Sequence, residues 1–305
     1  MATDTLKTLH RVLNFSTARV PRTLTLMNPL VTPSWVAEHL DDPGVVILDA
    51  TLPPVGVSPA IDTHARYLEK HIPSALFFDI EYLSDHSTSL PHMLPTPENF
   101  SREMSALGVG DQMQIVIYEQ EGIFSAPRAW WMFRTFGAQH VSILDGGLRA
   151  WMEEGFPIHT GSGHRNPAIF HSRLNRDAVK GFPQIQQLIA KHAQILDARS
   201  SGRFNGALPE PRPGIDSGHM PGATNVPFIE LLDDGRMKSD VGLREYFSAK
   251  GVDLEQPVTT TCGSGVTAAV IALGLEIAGA SQISLYDGSW AEYAQHPEAV
   301  VEKSA

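Results

Sequence analysis

An internal repeat constrains this chain more than any other feature of its sequence. Each half contains, in the same order, a mostly apolar run that ends in Asp, a His-X-Pro motif, and a second run that leads into Asp-Gly. These motifs occupy residues 45–50, 71–75 and 141–147 in the first half and residues 193–199, 219–223 and 283–289 in the second. Asp49 precedes His71 by 22 residues, and Asp197 precedes His219 by the same 22 residues. Matched landmarks in a matched order indicate a tandem duplication of one domain.

Within each copy, short runs rich in β-branched residues alternate with segments of helical periodicity. The predicted strands are residues 45–48, 114–118, 142–144 and 257–261. The predicted helices are residues 33–40, 97–107 and 127–136 in the first copy and 184–192, 242–250 and 266–278 in the second. Strands that alternate with helices form mainly parallel sheets with helices on both faces. We therefore predict an α/β protein with two tandem domains, each a mainly parallel sheet flanked by helices, whose ligands bind at the carboxyl ends of the strands.

The repeat also sets the predicted domain boundaries. We predict an N-terminal extension, a first domain, a Gly/Ser-rich linker and a second domain at residues 1–28, 29–156, 157–177 and 178–305. Residues 1–26 contain one acidic residue against four Lys and Arg, a composition that suits a mitochondrial transit peptide. We favour a disordered tail, or an upstream start codon with Met27 as the natural start, and keep the transit peptide as the alternative.

The charge balance narrows the classes of ligand. Lys and Arg number 23 against 34 Asp and Glu, which gives a formal net charge of −11. Such a chain repels a phosphate backbone, so we expect no nucleic-acid partner. No stretch approaches the ~18 apolar residues that a membrane-spanning helix needs, so we expect no membrane partner. Small anionic substrates remain compatible with the sequence, because a few arginines in one cleft override the global sign.

Cys262 is the only cysteine of the chain. It therefore forms no intramolecular disulfide, no Cys-X-X-Cys redox pair and no multi-thiolate zinc site. No His/Cys cluster shows the spacing of metal ligands, so we expect no metal and no cofactor. A reducing compartment, the cytoplasm, fits a chain with a single thiol. Taken alone, such a cysteine is either a small buried apolar residue or a nucleophile that acts without a second thiol.

The residues around Cys262 favour the nucleophile. The β-branched run 257–261 ends at Cys262, a Gly-Ser-Gly turn follows, and a helix is predicted from residue 266. This arrangement points backbone N–H groups into one concavity, which stabilises a thiolate or another anionic sulfur species. A tyrosine-phosphatase loop would carry Arg where this chain has Ala268, and the motifs of esterases and phosphate-binding loops are absent. A Cys-His protease is disfavoured, because a duplicated domain with the nucleophile in one copy does not suit it.

These motifs resemble the rhodanese superfamily, and within it the two-domain 3-mercaptopyruvate sulfurtransferases. The matching segments are residues 125–132, 209–212, 262–267 and 287–290. The resemblance implies two rhodanese-like domains and a sulfur relay, in which Cys262 attacks the sulfur of the donor, carries it as a persulfide and releases pyruvate. The first domain of such enzymes is non-catalytic, and here Glu119 and Gln120 stand where the second domain has its cysteine. With no second thiol in the chain, we expect an outside acceptor, either a thiol such as thioredoxin or cyanide.

The resemblance also implies roles for individual residues. The expected substrate-binding residues are Arg203, Arg212, Gly263, Gly265, Val266 and Thr267. Ser264 is expected to act with a His and an Asp of the first domain, and the matching residues are His71 and Asp62. Because His219 repeats His71 in the second copy, a purely structural role for His71 stays open.

The choice of sulfur donor depends on the charge of the cysteine loop. Gly263 and Ser264 are small and neutral, whereas thiosulfate-preferring relatives carry basic residues directly after the cysteine. We therefore expect 3-mercaptopyruvate as the donor. A thiosulfate:cyanide sulfurtransferase and a persulfide carrier without turnover are the alternatives, and the oligomeric state is left open.

Overall fold

The computed structural model describes residues 28–56 and 60–304, which form two α/β domains. The expectations for residues 1–26 and for Met27 lie outside the described residues. The strands of the first domain are β1 (Leu30–Val31), β2 (Val45–Asp49), β3 (Leu76–Phe77), β4 (Gln114–Tyr118) and β5 (Val141–Leu144). Its helices are α1 (Pro33–Glu38), α2 (Thr63–Glu69), α3 (Ile80–Leu83), α4 (Pro97–Leu107), α5 (Ala126–Thr135) and α6 (Gly147–Glu153).

The second domain repeats this order of elements. Its strands are β6 (Val179–Lys180), β7 (Gln194–Asp197), β8 (Thr224–Asn225), β9 (Leu232–Asp233), β10 (Arg236–Met237), β11 (Val258–Thr261) and β12 (Ile283–Tyr286). Its helices are α7 (Phe182–Ala190), α8 (Ser201–Phe204), α9 (Asp240–Ala249), α10 (Val266–Ala278) and α11 (Ser289–Tyr293). Two short 3-10 helices lie at Arg176–Ala178 and Phe228–Leu231.

The two large sheets have the same strand order. It is β1-β5-β4-β2-β3 in the first domain and β6-β12-β11-β7-β8 in the second, and paired strands run parallel in both. Strands β9 and β10 form a separate antiparallel hairpin. All five residues of β2 are buried, as expected for a strand covered on both faces, which explains its continuous apolar run. The predicted fold of two tandem α/β domains with parallel sheets is confirmed.

Local sequence signals account for the ends of helix α4. The Thr96 hydroxyl accepts a hydrogen bond from the Asn99 N–H (3.2 Å), and Pro97 occupies the first helical position, where its missing N–H costs nothing. At the other end Gly108 has a φ of +87°, a left-handed conformation that terminates helices and favours glycine.

The repeated Asp at the end of β2 and β7 anchors the turn that follows each strand. The buried Asp49 accepts hydrogen bonds from the Thr51 hydroxyl and from the Gln120 amide (2.8 Å). The buried Asp197 accepts three hydrogen bonds from the Arg199 guanidinium, at 2.6–3.1 Å. Since a buried carboxylate needs such partners, this part of the repeat is structural.

The repeated His has the same role in both copies. Nδ1 of His71 donates to the Tyr67 carbonyl (2.9 Å), and its ring stacks on that of Tyr67, with 4.4 Å between centroids. Nδ1 of His219 donates to the Phe204 carbonyl (2.9 Å), and its ring stacks on Phe204 at 4.1 Å. Each imidazole therefore ties its own turn to the helix before it.

The domains pack through equivalent helices. Helix α5 follows β4, helix α10 follows β11, and the two helices lie against each other. Buried apolar side chains of both domains form one continuous cluster, to which Phe133 of α5 and Leu273 of α10 belong. The loops that precede these helices consequently meet, because Phe124 and Cys262 line the same cavity.

The segment between the domains is anchored to the first of them. Residues 157–175 contain no helix or strand, but Phe170 is buried in the first domain's core and the Gly163 N–H donates to the Tyr67 hydroxyl (2.8 Å). None of the helices described is long and apolar enough to span a membrane.

Candidate active site

Cys262 lies in the loop between strand β11 and helix α10. The strand ends at Thr261 and the helix begins at Val266, so the loop has the strand–turn–helix form that its sequence predicts. Gly265 caps the helix with a φ of +79°, a conformation that L side chains rarely adopt. The cysteine is 2% exposed, so a reactant reaches its sulfur only through the adjoining cavity.

The first turn of helix α11 holds the Cys262 loop in place. The N–H of Trp290 donates to the Cys262 carbonyl (2.9 Å), and the N–H of Ala291 donates to the Gly263 carbonyl (3.0 Å). The Cys262 N–H donates to the Ser289 hydroxyl (3.3 Å). The Cys262 and Gly263 carbonyls are therefore both engaged by helix α11.

Three backbone donors of the Cys262 loop remain without a protein acceptor among the described residues. Within the described part of the chain, the N–H groups of Gly263, Ser264 and Gly265 donate to no protein acceptor. Successive N–H groups of this kind, at the start of a helix, form a concavity that binds an anion. The loop can accordingly hold a negatively charged sulfur on Cys262.

A cavity of about 320 Å³ opens onto Cys262 between the two domains. The first domain contributes Leu52, Pro53, Pro54, Val55, His92 and Phe124. The second domain contributes Arg199, Arg203, Arg212, Phe228 and the predicted site residues Cys262, Gly263, Ser264, Val266 and Thr267. One wall is mainly apolar and the other cationic, so the cavity suits a small anionic molecule whose binding needs both domains.

The two predicted arginines lie together over the loop but differ in their partners. The Nε of Arg203 donates to both carboxylate oxygens of Glu210 at 3.2 Å, and Glu210 is also held by the buried Arg199 (2.8 Å). Arg212 has no carboxylate within 4 Å among the described residues and donates only to the Ser264 hydroxyl (3.3 Å). Burial lowers the pKa of Arg212, although a guanidinium stays protonated in a protein. Its positive charge is therefore the less compensated of the two.

Because Gly263 has no side chain, the two arginines have room to lie over the loop. A Cβ at this position would lie 2.9 Å from Nη2 of Arg203 and 3.7 Å from Nη1 of Arg212. A side chain here would displace the Arg203 guanidinium, so the small loop residue and the overlying arginine depend on each other.

Ser264 contacts a histidine of the first domain that the sequence did not single out. Nδ1 of His92 lies 3.0 Å from the Ser264 hydroxyl, and its Nε2 donates to Glu81 (2.7 Å). This hydrogen bond from His92 holds the pKa of Glu81 below its ordinary value. His92 is 6% exposed and lines the cavity. A serine, a histidine and a carboxylate thus form a chain across the domain interface, an arrangement able to move a proton.

The expectation that His71 and Asp62 act on Ser264 is corrected by these contacts. His71 is engaged with Tyr67, as described above. Asp62 caps helix α2, where its carboxylate accepts from the Ala65 N–H (2.9 Å). Neither residue lines the cavity. The first-domain residues that contact Ser264, directly and through a histidine, are instead His92 and Glu81.

Gly265 also differs from its predicted role. It does not line the cavity, and a Cβ there would lie 2.9 Å from Nη1 of Arg128 and 3.1 Å from the Asp287 carbonyl oxygen. The structure therefore places Gly265 where its lack of a side chain allows Arg128 and Asp287 to pack against the loop.

The corresponding loop of the first domain is filled by its own side chain. Where the second domain has Cys262, the carboxylate of Glu119 accepts hydrogen bonds from the N–H groups of Phe124, Ser125 (2.9 Å) and Ala126 (3.2 Å). Burial raises the pKa of Glu119 to about 7, against the effect of these donors. The anion-binding geometry is thus common to both copies, but in the first it is closed by a carboxylate.

Comparisons with known proteins agree with this description. The sequence profile of the rhodanese-like domain matches residues 32–154 and 183–296. The 3-mercaptopyruvate sulfurtransferase of Escherichia coli K12 is 44% identical over 271 residues, which cover 88% of this chain and 95% of that protein. The bovine thiosulfate sulfurtransferase is 41% identical, with 88% and 92% covered. A crystal structure of an Escherichia coli 3-mercaptopyruvate enzyme superposes with a TM-score of 0.80 at 42% identity, covering 87% of this chain and 99% of that one.

Proposed function

The chain belongs to the rhodanese-like domain family, and we propose that it is a 3-mercaptopyruvate sulfurtransferase in which Cys262 carries the transferred sulfur. The enzyme takes the sulfur of 3-mercaptopyruvate as sulfane sulfur on Cys262, releases pyruvate, and passes that sulfur to a thiol or to cyanide. The observation that carries the proposal is the neutral Cys262 loop beneath Arg203 and Arg212, of which Arg212 makes no ion pair with a carboxylate among the described residues.

The charges of the cavity suit a donor with one carboxylate. Arg212 offers a fork of N–H donors that binds the carboxylate of 3-mercaptopyruvate. Arg203, oriented by Glu210, lies over Gly263 and donates to the 2-oxo group. Because Glu210 compensates the charge of Arg203, the pair offers one carboxylate one uncompensated cation and one further donor, whereas thiosulfate carries two charges and no carbonyl.

The first half-reaction transfers the sulfur to the enzyme. The Cys262 thiolate attacks the sulfur of 3-mercaptopyruvate, an S–S bond forms, and the C–S bond breaks with its electron pair on the methylene carbon. The resulting enolate of pyruvate takes up the proton that the donor's thiol group loses. The products are pyruvate and a Cys262 persulfide, whose negative sulfur is stabilised by the loop N–H groups.

Ser264, His92 and Glu81 carry that proton. Arg212 donates to the Ser264 oxygen, which leaves the Ser264 hydroxyl proton for Nδ1 of His92 or for the substrate. When His92 accepts the thiol proton through Ser264, Glu81 stabilises the imidazolium through Nε2. The proton then returns through Ser264 to the enolate, so the relay ends in its initial state.

The second half-reaction needs an acceptor from outside the chain. An acceptor thiolate, of thioredoxin or of a small thiol, or cyanide attacks the outer sulfur of the persulfide. The S–S bond breaks with its electron pair on the Cys262 sulfur, which regenerates the thiolate. Because Cys262 is the only cysteine, no internal thiol competes for the sulfur, and a reducing cytoplasm suits such an enzyme.

A thiosulfate sulfurtransferase is the second candidate, because the bovine protein of that name is 41% identical over most of both chains. It differs from the first in donor alone, so the same assay separates the two. The neutral pair Gly263 and Ser264 favours 3-mercaptopyruvate.

Steady-state turnover with both donors tests the proposal. The wild-type protein is expected to release pyruvate from 3-mercaptopyruvate with a higher kcat/KM than it shows for sulfur transfer from thiosulfate. The nearly isosteric Cys262→Ser variant, checked for its fold by circular dichroism, is expected to release none above background. Turnover by Cys262→Ser would refute the role of the thiol, and a higher kcat/KM with thiosulfate would replace the donor with the second candidate.

A further inference from the structure

Arg128 joins the two domains behind the catalytic loop. It is the third residue of helix α5 in the first domain, and it is fully buried. Its Nη2 donates to Oδ1 of Asp287 in the second domain (2.7 Å) and to the His92 carbonyl, and its Nη1 donates to the Gly265 carbonyl (3.5 Å). One enclosed cation thus contacts the segment that carries His92 and the loop that carries Cys262.

Asp287 completes the connection from the other side. Its second carboxylate oxygen accepts a hydrogen bond from the Leu94 N–H (2.8 Å), two residues after His92. Its side chain is 6% exposed, so both of its partners are shielded from water. The backbone that directly follows His92, from its carbonyl to the Leu94 N–H, is therefore held by an interdomain ion pair.

His92 needs such support because its backbone is strained. Its φ is +59°, in the left-handed region that residues other than glycine rarely adopt. A residue keeps this conformation only where its surroundings fix it, and such residues concentrate at functional sites. Here the left-handed turn aims the imidazole across the interface at Ser264.

The contact between Arg128 and Gly265 is tightly packed. A Cβ at Gly265 would lie 2.9 Å from Nη1 of Arg128, so the guanidinium packs directly on the loop backbone. A displacement of Arg128 is therefore transmitted both to the Ser264 side and to the His92 side of their hydrogen bond.

We propose that Arg128 and Asp287 are positioning residues that hold His92 against Ser264, and that the non-catalytic domain controls the first half-reaction through them. Neither lines the cavity, so both act through the backbone of other residues. This inference rests on the proposed proton route through Ser264 and His92.

Comparison of the two copies shows that the buried cation occupies this position in one of them. The reciprocal loop of the second domain docks in the same way, since the Met237 N–H donates to a carboxylate oxygen of Asp145 (3.0 Å). The third residue of α10, however, is Ala268 where α5 has Arg128. The buried cation is present on the side of the interface that serves Cys262.

The test compares two arginines of the same helix. Arg128→Lys keeps the charge but loses the planar fork of donors. Arg134→Lys is the matched control, because Arg134 also pairs across the interface, with Glu276 (3.3 Å), but near the far end of α10 and half-exposed. Asp287→Asn is the second variant, and it keeps an acceptor for the Leu94 N–H. If Arg128→Lys does not fold, the proposal is tested with Asp287→Asn alone.

Single-turnover formation of the Cys262 persulfide from 3-mercaptopyruvate is followed by intact mass and pyruvate release. Misplacement of a reacting group by about 1 Å slows a reaction by about a hundredfold, and we expect that loss for Arg128→Lys and Asp287→Asn. The KM for 3-mercaptopyruvate is expected to stay within about threefold of the wild-type value. The rate at which cyanide discharges the loaded persulfide is expected to stay within the same range, because neither quantity depends on the placement of His92.

Each result has a distinct meaning. Persulfide formation as fast in Arg128→Lys and Asp287→Asn as in Arg134→Lys overturns the positioning role. Equal losses in both half-reactions, accompanied by a lower Tm, also overturn it, since a general loss of structure then explains them. Failure of the wild-type protein to form a persulfide from 3-mercaptopyruvate refutes the proposed function instead, whatever the variants do.

Discussion

Replacing Glu119 with glutamine probes the closed loop of the first domain through the pH dependence of stability. The Glu119 carboxylate is buried at the start of α5, where three backbone N–H groups and the Ser125 hydroxyl contact it. Burial raises its pKa from 4.5 to about 7, because the loss of hydration outweighs these hydrogen bonds. Glutamine has nearly the same shape and keeps one oxygen for the N–H groups, but it has no proton to exchange.

The sign and size of the effect follow from the pKa. Between pH 4.5 and about 7, the folded protein retains a proton on Glu119 that the unfolded chain has released. Rising pH therefore destabilises the wild-type fold in this window, and no further loss from this group is expected above about pH 7. The difference between the two pKa values corresponds to about 3 kcal/mol at 1.36 kcal/mol for each pH unit. The Glu119→Gln variant has no titratable group at this position, so its stability does not show this loss.

The pH dependence of stability is measured by urea unfolding at several pH values from 5 to 8, followed by tryptophan fluorescence. The free energy of unfolding of Glu119→Gln minus that of the wild type is expected to increase with pH by about 2–3 kcal/mol and then to level off. Any constant offset reflects the hydrogen bonds of the amide and is not part of the prediction. Glu121→Gln, which removes an exposed carboxylate of the same loop, controls for the loss of one negative charge. A difference that is flat with pH, or that falls, would show that the N–H groups outweigh burial.

Three further substitutions test the assignment of the site. Arg212→Gln is expected to raise the KM for 3-mercaptopyruvate about 10- to 100-fold in steady-state assays, because a charged hydrogen bond contributes about 1.5–3 kcal/mol. Gly263→Ala is expected to raise the same KM several-fold at an unchanged Tm, since its Cβ would meet only the movable ends of the Arg203 and Arg212 side chains. Asp62→Ala is expected to lower stability by about 1 kcal/mol through loss of the α2 cap, with kcat unchanged; a large fall in kcat would return Asp62 to the site.

Much of the fold could be predicted because the features that determine it are local. Buried parallel strands such as β2 and β4 are mostly apolar runs without alternation, and helices such as α4 carry their own caps. The predicted and observed elements differ mainly at their ends, as for the helix expected at 184–192 and found at Phe182–Ala190. Helix ends depend on capping and on contacts outside the helix, which periodicity does not record.

The part of the site that lies within one domain could be predicted as well. Cys262, Ser264, Arg203 and Arg212 all belong to the second domain, and the structure places them around one cavity. The residues that the first domain contributes to the site could not be predicted, because their position depends on how α5 packs against α10. The partner of Ser264 is set by that packing and not by any spacing along the chain.

The choice between His71 and His92 shows how a duplication can be used to find function. A residue that recurs at the same place in both copies serves what the copies share, and His71 and His219 indeed make the same contacts in their own turns. Chemistry that belongs to one copy must depend on positions where the copies differ although the backbone around them is alike. Glu119 and Cys262 form one such pair, and Arg128 and Ala268 form another. His92 belongs with these positions, since its loop and the Met237 loop dock alike but only the former brings an imidazole to the cavity.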